Sequence, residues 1–321
     1  MSRFIRLVSA LWLAALCAGA AAQGFPAKPV HLVVPFPAGG SADLLARVLG
    51  EQLTGYWKQP VLVENKPGAG SIVATQYVQR APADGYTLLL MAPSFVVNPM
   101  LKKEAGYDAM KDFTPVTIIV TSPLVVVVNP SLPARTLKEL GELSRTSSGK
   151  FSFAAVGPGT TQQMIGEMLR LEGKFDWVYA PYPGGAPAVT ALLGNHVTAV
   201  VANYSEVSSQ VLSGKLRAVA VGSRERLDVL KDVPTLAELG YQMVDGTIWF
   251  GFVAPAGVPS DVVHKLQADI ARALKERAVR EKFVAQGLYP AESTPEQFAA
   301  FLDAQVRKYS GLIKQADIKA D

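Results

Sequence analysis

The feature that most constrains the fold is an alternation of short apolar segments with segments of helical periodicity, which occurs in two series along the chain. The first series predicts strands at 30–34, 61–64 and 86–91 and helices at 41–53 and 71–80. The second predicts strands at 151–156, 177–182, 197–202 and 216–222 and helices at 137–144, 161–171, 186–193 and 205–212. Strands that alternate with helices favour an α/β fold, in which helices cover both faces of a mostly parallel sheet.

Two extended segments separate the series. The segment 115–128 is interrupted by Ser122-Pro123 and predicts a strand that leaves one lobe and enters another, and the strand 249–254 returns. Three helices are then predicted at 261–275, 278–286 and 295–316. We therefore predict two α/β lobes, each a mostly parallel sheet flanked by helices, with lobe 1 formed by 23–121 and 247–321 and lobe 2 by 122–246. The length of 321 residues agrees, because a single core stops growing at about 250–300 residues.

The first 22 residues have the composition of a secretory signal peptide. Arg3 and Arg6 precede an uncharged apolar run at 7–17, and the alanines at 20–22 are the small residues that signal peptidase requires. We predict cleavage of residues 1–22 and export to the periplasm. An uncleaved anchor is the alternative, but a span needs about 20 mainly apolar residues, and glycines and Pro26 interrupt this stretch. Cleavage would also remove the single cysteine, Cys17.

The composition excludes several classes of function. With 31 basic and 27 acidic residues the net charge is +4, far from the excess that phosphate backbones attract, so no nucleic-acid partner is predicted. One cysteine and three histidines are too few for a Cys/His zinc site. The sequence contains no P-loop and no G-x-G-x-x-G motif, so we predict neither metal nor cofactor. It also lacks a G-x-S-x-G nucleophile elbow, so we predict no enzymatic activity.

The candidate binding loops follow predicted strands, because ligands of open α/β sheets bind beyond the carboxyl ends of the strands. The loop 35–43 contains two prolines and two glycines and leads directly into a helix, whose free N–H groups suit a carboxylate. The alternative is a tight connection in which Ser41 is an N-cap. The loops 157–161 and 183–187 repeat this arrangement, and the segments 67–71, 92–98 and 202–204 are the other predicted cleft loops.

From these loops we predict a set of ligand-binding residues, which comprises Phe36, Ala38, Gly39, Gly40, Ser41, Asp43, Ser71, Ser94, Gly159, Thr160, Thr161, Tyr182, Gly184, Ala186 and Asn203. The backbone N–H groups of 39–41 are expected to hold one carboxylate, and the hydroxyls of Thr160 and Thr161 are expected to close on it from the other lobe. Asp43 suits a first-turn acid that stabilises its helix better than a ligand contact. Tyr204 and Trp249 are further candidates for the cleft.

A series of short motifs, each weak alone, occurs in a fixed order between about residues 25 and 300. They are Phe-Pro-Ala-Lys-Pro-Val at 25–30, Pro-Phe-Pro-Ala-Gly-Gly at 35–40, Glu-Asn-Lys-Pro-Gly-Ala-Gly at 64–70, Asp-Gly-Tyr-Thr-Leu-Leu at 84–89, Lys-Asp-Phe-Thr-Pro at 111–115, Tyr-Pro-Gly-Gly-Ala-Pro-Ala at 182–188, Asp-Val-Pro-Thr at 232–235 and Ala-Pro-Ala-Gly-Val-Pro at 254–259. In this order the chain resembles the extracytoplasmic solute receptors of the tripartite tricarboxylate transporter class, the Bug receptors.

The resemblance implies a monomeric type II periplasmic binding protein, with a Venus-flytrap cleft that holds a small carboxylate by loop backbone and hydroxyl groups and delivers it to a membrane permease. A receptor of the same fold that feeds a sensor kinase is the first alternative, and an exported hydrolase is a less favoured one. The chain departs from the family pattern at Ser71-Ile72, Gln163 and Thr198, where Gly-Asn, His and Asp are usual. Ile72 would make one wall apolar and favours an aromatic or aliphatic acid over citrate.

Overall fold

Strands and helices alternate as the sequence predicts in the computed structural model, which describes residues 24–147, 151–157, 160–241 and 246–316. The predicted signal segment 1–22 lies outside the described residues. The strands are β1 (Val30–Val34), β2 (Val61–Asn65), β3 (Thr87–Met91), β4 (Phe113–Val128), β5 (Ser152–Val156), β6 (Val178–Tyr182), β7 (Ala199–Asn203), β8 (Arg217–Val221), β9 (Thr247–Pro255) and β10 (Tyr289–Pro290). The helices are α1 (Ser41–Trp57), α2 (Ile72–Gln79), α3 (Ser94–Leu101), α4 (Leu137–Thr146), α5 (Thr161–Leu171), α6 (Gly185–Leu193), α7 (Tyr204–Leu212), α8 (Ser260–Lys275), α9 (Arg277–Val284) and α10 (Pro295–Ala316).

The strands form two lobes that share β4. In lobe 1 the order is β2-β1-β3-β9-β4, with β1 parallel to β2 and β3. In lobe 2 the order is β4-β7-β5-β6, with β5 parallel to β6 and β7. The prediction of a two-lobed α/β fold is therefore confirmed.

The long strand β4 makes each sheet mixed rather than mostly parallel. Its first part pairs antiparallel with β9, from Phe113 opposite Pro255 to Pro123 opposite Thr247. Its last part, Leu124 to Val128, pairs antiparallel with β7, and β8 also pairs with it antiparallel. The sheets are mixed because the chain enters lobe 2 along β4 and returns to lobe 1 along β9, so the two crossing strands run in opposite directions. The lobe boundaries at 121/122 and 246/247 stay a prediction.

A continuous apolar core joins the lobes. One cluster contains Leu45 and Leu49 of α1, Val120 and Val126 of β4, and Phe153 of β5, all of them buried. Two further clusters cover the opposite faces of the two sheets. The helices pack by amphipathic faces, since the buried positions of α1 recur at the three- and four-residue spacing of a helix.

The largest difference from the predicted elements is α3. The segment 92–98 was expected to be a loop after β3, but a helix begins at Ser94 directly after Pro93. Proline is well tolerated at the start of a helix, because its missing N–H would have no helical partner there. The predicted loop 202–204 is also absent, since β7 ends at Asn203 and α7 begins at Tyr204. None of the helices within the described residues is both long and apolar enough to cross a membrane.

Candidate functional site

A cavity lies between the lobes at the carboxyl ends of the parallel strands. About 520 Å³ of space that no protein atom fills, part of it open to solvent, lies between the residues that line it. These residues are Phe36, Pro37, Gly40, Ser41, Ala42, Ala92, Pro93, Ser94, Val156, Thr160, Thr161, Gln162, Gly184, Gly185, Ala186, Pro187, Asn203, Glu206, Ile248 and Phe250. Both lobes and the crossing strand β9 contribute, which is the position that the strand order predicts for a ligand.

Five helices begin at the cavity wall. The residue before the first turn of each helix is Gly40 for α1, Pro93 for α3, Thr160 for α5, Gly184 for α6 and Asn203 for α7, and all five line the cavity. The first N–H groups of a helix have no acceptor within the helix, and its N-terminus carries a partial positive charge. These helix starts therefore supply donors and partial positive charge to the cavity, and no cationic side chain is among the described residues that line it.

Glu206 is the one ionisable side chain among the described residues that line this cavity. It accepts a hydrogen bond from the N–H of Asn203 at 3.3 Å, and Ser41 lies beside its carboxyl group. Burial raises the pKa of Glu206, and the polar groups of Asn203 and Ser41 oppose that rise. The remaining walls are mainly apolar, with Phe36 and Phe250 as the largest side chains.

The lobes meet at Ser41. Its hydroxyl lies 2.6 Å from the Ser205 hydroxyl and accepts a hydrogen bond from Nδ2 of Asn203 at 3.1 Å. Nearby, a Cβ built on Gly184 would lie 2.9 Å from Cδ of Pro37, so only glycine allows this approach of the two loops. The cavity is thus closed on one side by contacts between residues that lie far apart in the sequence.

The loop before α1 differs from the predicted carboxylate grip. Gly39 has φ of 88°, which requires the freedom of glycine, but its N–H donates to Oδ2 of Asp43 at 3.1 Å. Asp43 also accepts from Nε of Arg47 at 2.9 Å. Although burial alone would raise the pKa of Asp43, these hydrogen bonds lower it. Gly39, Ala38 and Asp43 do not line the cavity, so the expectation that Gly39 donates to the ligand is wrong for this structure.

The hydroxyls expected to close from lobe 2 also have partners within the protein. The Thr160 hydroxyl donates to the carbonyl of Val156 at 2.7 Å, and the Thr161 hydroxyl lies 3.0 Å from the hydroxyl of Tyr309 in α10. Both residues line the cavity, so the first N–H groups of α5 are better placed as donors than these hydroxyls. Gly159 lies outside the described residues.

Ser71 contacts Ser94 but does not itself line the cavity. The two hydroxyl oxygens are 3.0 Å apart, and Nδ2 of Asn98 donates to Ser71 Oγ at 3.2 Å. Ser94 lines the cavity at the start of α3, whereas Ser71 does not. Ile72 is buried in a separate apolar cluster with Val33 and Phe95 and does not line the cavity, so it does not form the apolar wall that was expected of it.

The aromatic candidates lie away from the cavity lining. Tyr182 ends β6, and its carbonyl accepts from the N–H of Gly157 at 2.9 Å. Tyr204 is buried and would collide with a Cβ on Gly287. Trp249 contacts Phe301 on the other side of its strand. None of the three lines the cavity.

Of the fifteen predicted residues, nine line the cavity, namely Phe36, Gly40, Ser41, Ser94, Thr160, Thr161, Gly184, Ala186 and Asn203. The sequence reasoning missed Glu206, Gln162, Ile248 and Phe250. A signal for Glu206 was present, because Asn203-x-x-Glu206 has the spacing of a capping box. Ile248 and Phe250 flank Trp249 on β9, where alternate side chains point to opposite faces.

The comparisons with known proteins agree with this architecture. A model of the tripartite tricarboxylate transporter family receptor matches residues 45–318. BugT of Bordetella pertussis (strain Tohama I) is 36% identical over 308 residues, which cover 95% of this chain and 94% of that protein. The solved structure of the periplasmic binding protein BugD superposes with a TM-score of 0.88 at 35% identity and covers 92% of this chain and 100% of that one.

A structure of R. palustris Rpa4515 with adipate also superposes with a TM-score of 0.88, at 28% identity, and covers 92% of this chain and 99% of that one. The relatives and solved structures match over nearly the whole chain. The chain therefore belongs to the family of tripartite tricarboxylate transporter receptors.

Proposed function

We propose that this protein is an extracytoplasmic receptor that captures a small organic acid between its lobes and delivers it to a membrane permease of the tripartite tricarboxylate transporter type. The observation that carries the proposal is the convergence of five helix N-termini on one cavity. A carboxylate can accept from their first N–H groups, and the apolar walls can hold the rest of the acid. Adipate in the related Rpa4515 structure supports the same class of ligand.

The neutral character of the donors fits a receptor that must release its ligand. A buried arginine would add a large desolvation cost when the site is empty, whereas backbone N–H groups are held in place by the helices that they begin. We propose that the amides at the starts of α3 and α5, next to Ser94 and Thr161, hold the carboxylate. Phe36, Ala186 and Phe250 then line the space for the rest of the molecule.

Capture requires that the lobes move apart and together. We propose that lobe 1 comprises 23–121 and 247–321, that lobe 2 comprises 122–246, and that the hinge lies where β4 and β9 cross between them. Pro123 pairs with Thr247 at this point. The hinges of such domain closures are a few residues at the ends of elements.

The proposal also covers location and partners. The signal at 1–22 supports cleavage and a periplasmic protein, and we propose a monomer that docks on permease subunits. A receptor that presents its ligand to a sensor kinase would use the same cavity, and pull-down of membrane partners separates the two. A hydrolase needs a base beside its nucleophile, and among the described residues that line the cavity only Glu206 could serve as one. Turnover of model esters would favour that alternative.

A thermal-shift screen tests the proposed ligand class. Each acid is paired with its neutral amide, for example benzoate with benzamide and hexanoate with hexanamide. A ligand at about 100 times its Kd should add roughly 2.7 kcal/mol to the free energy of unfolding. We expect acids to raise the midpoint and amides not to do so. Equal shifts by acid and amide would contradict a carboxylate site, and an absence of shifts over a broad acid panel would contradict the proposed function.

A further inference from the structure

The carboxyl group of Glu206 lies where three of the five helix N-termini meet. It accepts from the N–H of Asn203, which precedes α7, at 3.3 Å, and it lies beside Ser41, the first residue of α1. A Cβ built on Gly185, the first residue of α6, would collide with this carboxyl, and one built on Gly40 would lie 3.6 Å from Oε1. The starts of α1, α6 and α7 thus surround one side-chain carboxylate.

These contacts determine which donors of the cavity remain for a ligand. The first N–H groups of the three helices are the groups that a bound carboxylate would use. Glu206 already accepts at the start of α7, and its carboxyl group fills the space beside the starts of α1 and α6. When ionised it adds a negative charge, and no lysine, arginine or histidine in the described cavity wall compensates it. The starts of α3 and α5, at Ser94 and Thr161, also lie in the cavity wall. Among the described residues that line the cavity, no acidic side chain lies against these two helix starts.

We propose that Glu206 is a specificity-determining residue, whose tethered carboxylate fills one anion position of the cavity so that the receptor admits acids with one carboxylate and excludes dicarboxylates. This inference rests on the proposed function. A ligand with a single carboxylate places it at the starts of α3 and α5 and its apolar part against Phe36, Ile248 and Phe250. A second carboxylate meets the charge of Glu206 instead of free donors.

Glu206 also stabilises the start of α7 as its third residue, so a purely structural role must be separated from selectivity. Glu139 provides the matched control, because it is the third residue of α4 and its Oε2 accepts from the N–H of Arg135 at 2.6 Å. It does not line the cavity. Replacing either glutamate weakens a helix start, but only Glu206 has its charge in the cavity.

Titration calorimetry of the mature protein, Glu206→Gln and Glu139→Gln tests selectivity. The probes are hexanoate against adipate and benzoate against terephthalate, pairs that differ by one carboxylate. Two like charges about 6 Å apart at an effective dielectric constant near 20 change an affinity by roughly a hundredfold, so we expect Glu206→Gln to improve the dicarboxylate-to-monocarboxylate affinity ratio at least about tenfold. Glu139→Gln should leave the ratio unchanged. An unchanged ratio in Glu206→Gln, or a parent protein that prefers the dicarboxylates, overturns the inference.

A second arm tests the anion position with acetate as the only probe. Glu206→Ala removes the carboxyl group that lies among the starts of α1, α6 and α7. We expect acetate to raise the thermal midpoint of this variant by clearly more than it raises the midpoints of the parent and of Glu139→Ala. Equal effects of acetate on the three proteins overturn the inference. Binding of acetate by Glu206→Ala together with no response to the longer acids would instead contradict the proposed function, so the two failures are distinguishable.

Discussion

Replacing Ser41 with alanine should favour separation of the lobes. The Ser41 hydroxyl lies 2.6 Å from the Ser205 hydroxyl and accepts from the Asn203 side chain at 3.1 Å. Ser41 begins α1 in lobe 1, whereas both partners lie at the start of α7 in lobe 2. These two hydrogen bonds can therefore form only while the lobes are together, and water replaces them when the lobes separate.

The size of the effect follows from the number of bonds lost. A hydrogen bond between neutral groups contributes about 1 kcal/mol net, so two bonds stabilise the closed form by about 2 kcal/mol. Because 1.4 kcal/mol corresponds to a tenfold change in an equilibrium constant, Ser41→Ala should shift the ratio of closed to open molecules roughly 30-fold towards the open form. The affinity for a ligand that binds the closed form should fall by up to the same factor.

Electron–electron double resonance measures this shift directly. The chain after the predicted cleavage contains no cysteine, so Lys58→Cys and Lys215→Cys, which are exposed positions on opposite lobes, accept one spin label each. We expect longer and broader distances in Ser41→Ala than in the parent. Ser131→Ala is the control, since the Ser131 hydroxyl donates within its own lobe to Asn129. Identical distance distributions for Ser41→Ala and the parent would refute the role of Ser41 in closure.

Three further predictions concern stability and processing. Asp43→Asn should lower the free energy of unfolding at pH 7, and its difference from the parent should shrink as the pH falls below the ordinary aspartate pKa of about 3.9, because the pKa of Asp43 is lowered in the folded protein and its stabilisation is lost on protonation. Urea titrations across this range measure the difference, and one that does not depend on pH would contradict the assignment. Gly251→Ala should cost about 1–3 kcal/mol, since its Cβ would collide with Phe298 and approach the Thr117 carbonyl to 2.9 Å. A Cβ at Gly311 on α10 would meet open space, so Gly311→Ala should be neutral or should stabilise the protein by up to about 1 kcal/mol. Equal midpoints of the two variants in urea would argue against crowding at Gly251. Intact-mass measurement of periplasmic material should find a chain without residues 1–22, and a full-length mass in the membrane fraction would favour an anchor.

Much of the fold could be predicted because its signals are local. The apolar residues of α1 recur at helical spacing, and the bounds of β1 and α5 coincide with the predicted ones. The order of strands and helices then implies parallel sheets, whose strands end at one edge. From this order alone, without any knowledge of contacts, Gly40, Ser41 and Thr161 could be predicted to lie at the cavity.

Other elements depended on contacts that the local sequence does not contain. The helix α3 was missed because its prolines at 93 and 99 resemble a loop, although Pro93 precedes the helix and Pro99 lies within it. Each sheet is mixed rather than mostly parallel because β4 and β9 cross between the lobes in opposite directions, and the direction of a crossing strand is decided by its partners.

The sequence by itself determined that four of the five helices, α1, α5, α6 and α7, begin at the cavity, because a strand followed directly by a helix is a local pattern. Tertiary structure decided which of the polar groups there are free to bind. The Gly39 amide is taken by Asp43, and the Thr161 hydroxyl by Tyr309, a residue 148 positions away. The Asn203 side chain reaches the Ser41 hydroxyl across the two lobes in the same way. A hydrogen bond depends on distance and direction between two groups, and for groups so far apart in the chain only the packed fold sets both.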